Sequence, residues 1–354
     1  MTTMADVAER AGVGIGTVSR VLNDSPQVRP ETRARVLEAM EDLGYRPSKT
    51  KQKGRSELHG YVGVIVPFFE EPSVFQRMRG IVGRLQPNGF EVVLYNVDAP
   101  DRARRLLMEL PSSGRVDGLI IITLPLRADE GERLAEAPFP TVLVDTWHPA
   151  LPSVSIDDIA GGRLATNHLL DLGHERIAFV GEPPRNPLWF VASRLREQGY
   201  GEALTAAGLP VRADFVKHGV HLRSAARQMA TELFAQAEPP TGIVTASDVQ
   251  ATGVLEAAQN SGRRVPDDLS LVGYDDIELA AHIGLTTVRQ PLEVSGQRGA
   301  EILLGALAHG SRVTPFNEQL QLELVMRKTT GPAAATAAAA RVRRIRTTNR
   351  GERA

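Results

Sequence analysis

The chain is 354 residues long, has no cysteine, and carries 41 Lys and Arg against 42 Asp and Glu, a net charge of −1. That length exceeds one ordinary domain and suits a small module joined to a larger two-lobed one. The missing thiols exclude disulfides, cysteine nucleophiles and Cys-ligated metals, and no run of apolar residues suits an export signal or a membrane span, so a cytoplasmic protein is expected. The charge is unevenly spread: residues 1–58 hold ten basic and eight acidic side chains, five of the ten between Arg46 and Arg55, while residues 331–354 hold six basic against one acidic. Basic residues thus concentrate where phosphates would be met.

Met4 to Asn23 reads as two short helices around a tight corner. Met4, Val7, Ala8 and Ala11 recur at helical spacing, as do Val18, Val21 and Leu22, and Gly12-Val13-Gly14 supplies the turn between them. That layout is a helix-turn-helix, whose second helix would lie in the major groove of DNA. The glycines at 12, 14 and 16 do not make a dinucleotide loop, because a helix rather than a strand precedes them and Thr17 stands where the third glycine belongs. Asp-Val-Ala-x-x-Ala-Gly-Val at Asp6 to Val13, then Thr-Val-Ser-Arg-Val-Leu-Asn at Thr17 to Asn23, resemble the headpiece of the LacI/GalR family of bacterial transcription regulators. Two departures stand out. Gly14 replaces the serine that usually caps the second helix, and Gly16 lies one turn inside it, where glycine costs ~1 kcal/mol relative to alanine.

Asp24-Ser25-Pro26 is a loop, and Pro30 opens a third helix whose buried stripe is expected to be Val36, Leu37, Met40 and Leu43, with Gly44 ending it. Tyr45-Arg46-Pro47 matches the family's end of headpiece, giving a DNA-binding domain over 1–47. The resemblance places Ile15, Gly16 and Arg20 at base-reading positions; Arg20 suits a bidentate contact to guanine. Thr17, Ser19 and Asn23 suit phosphates, and Gln27 and Tyr45 complete the candidate DNA-binding set on the headpiece. Residues 48–58 form a basic linker in which Lys49, Lys51 and Lys53 alternate. The leucine that family members wedge into DNA falls at Gly54, so electrostatic, salt-sensitive contacts are expected there.

From Tyr61 the pattern changes to short β-branched runs, YVGVIV, EVVLY, DGLIII, TVLV, RIAFVG, GIVTA and SLVGY, most of them separated by helical stretches. Alternation of this kind predicts parallel sheets covered on both faces. The resemblance implies an α/β periplasmic-binding-protein-like core over 59–331, two doubly wound lobes that the chain crosses three times. The N-lobe is expected at 60–158 with 289–318, and the C-lobe at 159–288 with 319–331. Ligands in such sheets sit at the carboxyl ends of the strands.

The resemblance assigns Arg196, three residues before Gly199, and Asp275, in Gly-Tyr-Asp-Asp, to ligand hydroxyls; a planar fork meets vicinal hydroxyls well. Ser247 stands where an asparagine is usual, and Asp248 suits a helix cap as readily as a ligand. Asp145, Asp157 and Asp158 are expected at the cleft edge, and Trp189, then Phe75, as the aromatic platform. His174 fits a structural family position. No nucleophile elbow, P-loop or metal-spaced histidine pair occurs, and adjacent aspartates such as Asp157-Asp158 cannot flank one glycosidic bond. Residues 332–354 read as a basic, disordered tail.

The expected protein is therefore a homodimeric repressor, not an enzyme, without cofactor or metal. It binds near-palindromic operator DNA and a small effector, first a sugar, with a purine or nucleoside as the alternative. A sugar-binding transport protein is the reading from another class.

Overall fold

The computed structural model describes residues 3–22, 25, 27–43, 45, 59–185, 188, 190–310 and 313–333. Asn23, Lys49, Lys51, Lys53 and Trp189, the linker and nearly all of the tail lie outside them, so the roles expected of these residues do too. The chain divides into two units, Met1–His59 and Gly60–Ala354.

The first unit is three helices, α1 (Met4–Ala11), α2 (Ile15–Leu22) and α3 (Pro30–Asp42). Thr3 and Asp6 form a capping box: the Asp6 carboxylate accepts from the Thr3 amide at 2.7 Å, and the Asp6 amide donates back to the Thr3 hydroxyl. Gly12 ends α1 at φ +64°, a left-handed conformation that a Cβ disfavours. Val7, Ala8, Ala11, Val18, Val21, Val36 and Ala39 make the core, with Tyr45 packed against it. Leu37 is not part of it. It is 51 % exposed, and Ala39 fills the place, because three short helices around small residues leave a narrow apolar stripe that excludes a neighbouring leucine.

The second unit contains two six-stranded sheets. Along the chain come β1 (Tyr61–Pro67), α4 (Pro72–Leu85), β2 (Glu91–Val97), α5 (Pro100–Ser113), β3 (Gly118–Ile122), α6 (Ala128–Glu136), β4 (Thr141–Val144) and β5 (Ser153–Ser155). Then come α7 (Asp158–Asp171), β6 (Ile177–Gly181), α8 (Ala192–Ala206), β7 (Val216–His218), α9 (Arg223–Phe234), β8 (Gly242–Thr245), α10 (Asp248–Asn260), β9 (Ser270–Asp275), α11 (Glu278–Ile283) and β10 (Thr286–Arg289). Last are α12 (Leu292–His309), β11 (Asn317–Gln319) and β12 (Glu323–Val325). The N-lobe sheet runs β2-β1-β3-β4-β5-β11 and the C-lobe sheet β7-β6-β8-β9-β10-β12. Every pairing is parallel except that of β12 with β10. The central strands read as unbroken apolar runs because helices cover both faces.

The chain crosses between lobes after β5, after β10 and after β11, so Asp158 opens a C-lobe helix, Arg289 closes a C-lobe strand and Gln319 closes an N-lobe strand. These limits fall one residue away from those expected. None of the described helices is long and apolar enough to cross a membrane.

The same close approach builds both lobes. In the N-lobe, a Cβ at Gly80 of α4 would lie 2.1 Å from the Glu293 carbonyl oxygen of α12, and one at Gly296 2.0 Å from that of Arg77. In the C-lobe, a Cβ at Gly199 of α8 would lie 2.0 Å from the Ile159 oxygen of α7, and one at Gly162 2.1 Å from that of Arg196. Paired glycines let each helix pair touch backbone to backbone. Each also carries one arginine, three residues before a glycine, to the crossover.

Candidate functional site

On the first unit, α2 buries Val18 and Val21 and presents Ile15, Gly16 and Arg20 outward, Ile15 with 52 % of its surface exposed. Thr17 and Ser19 are half-buried on its flanks and Gln27 is exposed. Gly14 caps the helix by backbone alone: its carbonyl accepts from the amides of Thr17 at 2.8 Å and Val18 at 3.3 Å. A free helix with a short apolar residue, a bare glycine and a guanidinium on its outer face has the form of a major-groove reader.

In the second unit, the two equivalent arginines meet at the crossover. Arg77, on α4 of the N-lobe, is 3 % exposed; its Nη2 lies 2.7 Å from Asp145 Oδ1 and donates to Gln290 Oε1 at 2.9 Å. Gln290 in turn donates through Nε2 to Asp275 Oδ1 at 2.5 Å. Arg196, on α8 of the C-lobe, donates through Nε to Asp158 Oδ1 at 2.8 Å and through Nη1 to the Ala246 carbonyl, and sits 3.6 Å from Asp275. Its guanidinium stacks 3.7 Å above the Tyr274 ring. Thus one continuous chain, Asp145–Arg77–Gln290–Asp275–Arg196–Asp158, links strand ends of both lobes. Burying such charges costs several kcal/mol each unless they are paired and hydrogen-bonded, as here.

The electrostatics follow from that crowding. Burial pushes the Asp158 carboxyl up to about 6, against the pull of Arg196. Burial likewise raises Asp275, with Arg196 and Arg77 opposing. Arg196 is raised because its carboxylates, Asp158 foremost, outweigh the cost of burial.

At the mouth, His221 stands between the lobes. Its Nδ1 lies 2.6 Å from Glu182 at the end of β6, its Nε2 3.4 Å from Glu71 before α4 and 3.4 Å from the Ser247 hydroxyl. Burial disfavours the imidazolium, but Glu182, Glu71 and Asp275 prevail and raise its pKa. Beside it, Phe68 meets Phe190 edge-on with ring centroids 6.0 Å apart, and Leu188 from the β6–α8 loop is buried in the N-lobe core.

Backbone strain clusters here too. The described non-glycine residues with positive φ, Phe68, Thr123, Asp145, Asp275 and Asp276, all follow or close strands at this face; Asp275 is at φ 113°. Such conformations persist where a site over-determines them.

Of the residues expected in the cleft, Arg196, Asp275 and Asp145 are brought into one network, joined by Asp158. Three others are placed differently. Asp157 is the N-cap of α7, its Oδ1 accepting from the Ala160 amide at 2.9 Å, since the crossover leaves that helix start needing an acceptor. Ser247, buried against His221, caps α10 by accepting from the Gln250 amide. That frees Asp248, which braces strands by accepting from Thr287 at 2.6 Å and from the Ile277 amide. Phe75 is 62 % exposed and lines, with Phe69, Arg223 and Leu279, an outer groove of about 750 Å³ between α4 and the C-lobe helices α10 and α11. His174 is structural: Nε2 donates to the Gly331 carbonyl at 3.0 Å, which makes Nδ1 the acceptor for the Thr241 hydroxyl.

Arg77, Gln290, His221, Glu71 and Glu182 were not foreseen. Arg77 had a signal, since Arg77-Met-Arg-Gly80 repeats the spacing of Arg196 to Gly199. The other four had none, being single polar residues in loops that only the crossing of the lobes brings together.

Comparison with known proteins agrees with both units. Residues 3–48 match the family described as bacterial regulatory proteins, lacI family, and residues 166–330 match a periplasmic binding protein-like domain. Catabolite control protein A of Priestia megaterium is 34 % identical over 294 residues, 82 % of this chain and 88 % of its own length. Among solved structures, a CelR–cellobiose complex superposes with a TM-score of 0.67 at 33 % identity, covering 93 % of this chain and all of that one. The Lac repressor dimer bound to operator and the anti-inducer ONPF superposes with a TM-score of 0.74 at 31 % identity, covering 93 % and 99 %.

Proposed function

The chain belongs to the LacI family of bacterial regulatory proteins, and on that premise we propose that its interlobe cleft takes a hydroxyl-rich effector, a sugar first, whose binding sets the affinity of the headpiece for operator DNA. The observation that carries the effector reading is the buried chain from Asp145 through Arg77, Gln290, Asp275 and Arg196 to Asp158. It offers paired donors and acceptors from both lobes at the strand ends where such folds bind ligands. A sugar hydroxyl both donates and accepts, so it suits a wall of carboxylates and guanidiniums at once. The similar CelR structure is a complex with cellobiose, which favours the same class. A nucleobase or nucleoside is the second reading, supported by the Phe68–Phe190 rings at the mouth.

On the DNA side, Arg20, Ile15 and Gly16 read bases from α2, while Thr17, Ser19, Asn23, Gln27, Tyr45 and the linker lysines Lys49, Lys51 and Lys53 hold the backbone. Two protomers place two headpieces on a near-palindrome. Coupling between the sites is reciprocal: an effector that weakens operator binding binds more weakly to the operator complex. The relatives are regulators rather than enzymes, which supports a bound molecule that leaves unchanged. The transport reading has no support beside the lacI-family match over residues 3–48.

The test selects an operator with the full chain, then titrates the complex with mono- and disaccharides, nucleobases and nucleosides. One ligand is expected to change operator affinity saturably, and Arg196→Ala or Asp275→Ala to abolish that response. Arg20→Ala is expected to lower affinity for the selected operator far more than for random duplex; an equal loss on both removes its reading role.

A further inference from the structure

We propose that the cleft is charge-selective: it admits uncharged polyhydroxyl effectors and rejects phosphorylated or carboxylated ones, with Glu71 and Glu182 forming the filter at the mouth. This rests on the cleft being the effector site.

Each guanidinium that enters the network already holds a carboxylate, Arg77 with Asp145 at 2.7 Å and Arg196 with Asp158 at 2.8 Å. Asp275 adds a further carboxylate shared between them, 2.5 Å from the Gln290 amide and 3.6 Å from Arg196. At the mouth, Glu71 from the N-lobe and Glu182 from the C-lobe converge on the single imidazole of His221. The named groups thus sum to five carboxylates against two guanidiniums and one histidine, and even a protonated His221 leaves the cleft negative.

An entering phosphate finds each guanidinium among these groups already holding a carboxylate. Like charges in a poorly solvated cleft repel strongly, and such juxtaposition suppresses wrong partners more effectively than it strengthens right ones. Arg77 Nε is buried without a hydrogen-bond partner among the described residues, and a lone N–H on a guanidinium already held by Asp145 suits a hydroxyl or ring oxygen. The crowding is visible in the site itself: burial and neighbouring acids raise the carboxyls of Glu71 and Asp158 above their ordinary values.

The experiment measures thermal melting of the full chain with matched pairs: ribose and ribose 5-phosphate, glucose and glucose 6-phosphate, with cellobiose and inorganic phosphate alongside. The expected result is saturable stabilisation by a neutral sugar and at least tenfold weaker binding of its phosphorylated partner. Glu71→Gln, at the edge of the mouth, is expected to narrow that ratio severalfold by admitting the anion. A phosphorylated sugar that binds as tightly as its parent overturns charge selectivity while leaving the cleft as the effector site. An unchanged ratio in Glu71→Gln overturns the filter. No stabilisation by any member of the panel removes the sugar reading, and this inference falls with it.

Discussion

Gly16 is the residue at which this chain departs most from what its helix needs. It is the second residue of α2, in the first turn and not one turn inside as expected, and a Cβ on this exposed face would meet nothing within 4 Å. Glycine costs ~0.5–1 kcal/mol against alanine in a helix interior through backbone entropy, an upper bound for the first turn. Gly16→Ala is therefore expected to raise the unfolding free energy of the headpiece by at most that amount in urea titration. Operator affinity separates two reasons for the glycine: unchanged or higher affinity means that it is merely tolerated, and a loss means that DNA approaches the bare Cα. The neighbouring Gly14 carries no comparable cost, because its carbonyl, not a side chain, begins the helix.

Among elements, the two arginine-bearing helices decide the geometry of the cleft. α4 on α12 and α8 on α7 approach so closely that a single methyl group meets backbone oxygen. Gly80→Ala forces the helices apart, with a cost of ~1–3 kcal/mol typical of overpacking, and shifts Arg77 relative to Asp145 and Gln290. Gly83 lies on the same helix with nothing within 4 Å of its Cβ, so Gly83→Ala is expected to be neutral or stabilising. Urea unfolding of the two variants compares them directly, and equal effects would remove the close-packing account. Sequence periodicity could show that these segments are helices. It could not show which face of each meets a partner at backbone contact.

Across the whole molecule, stability depends on pH through groups of opposite sign. His221, facing Glu182, Glu71, Asp275 and the Ser247 hydroxyl, has a raised pKa in the folded protein. Its contribution is complete below the ordinary histidine value of 6.5 and lost as pH rises through the folded value. His168 and His174 are lowered by burial, so their contribution is present above 6.5 and lost as pH falls through their folded values. Asp158 weakens folding progressively from its ordinary 3.8 up to about 6 and changes nothing beyond. Melting curves of the wild type and His221→Gln are therefore expected to differ most at mildly acidic pH and to converge at alkaline pH. A gap that widens with pH contradicts the ion pair across the mouth.

The sequence by itself determined what is local or periodic. Apolar runs marked β1, β2, β3, β4, β6, β8 and β9, and spacing around Gly12 marked the helix-turn-helix, because both follow from neighbours along the chain. The short strands β5, β7, β10, β11 and β12 left no such mark; each is three or four residues long and is held by its place at or near a sheet edge. The residues proposed to bind the effector divide the same way. Arg196 and Asp275 were legible because they sit in motifs beside a glycine and a strand end. The tertiary structure alone joined Arg77 to Gln290, 213 positions away, and set His221 between carboxylates of two lobes. Those contacts exist only because the chain crosses between lobes three times, and no local pattern encodes where distant strand ends will meet.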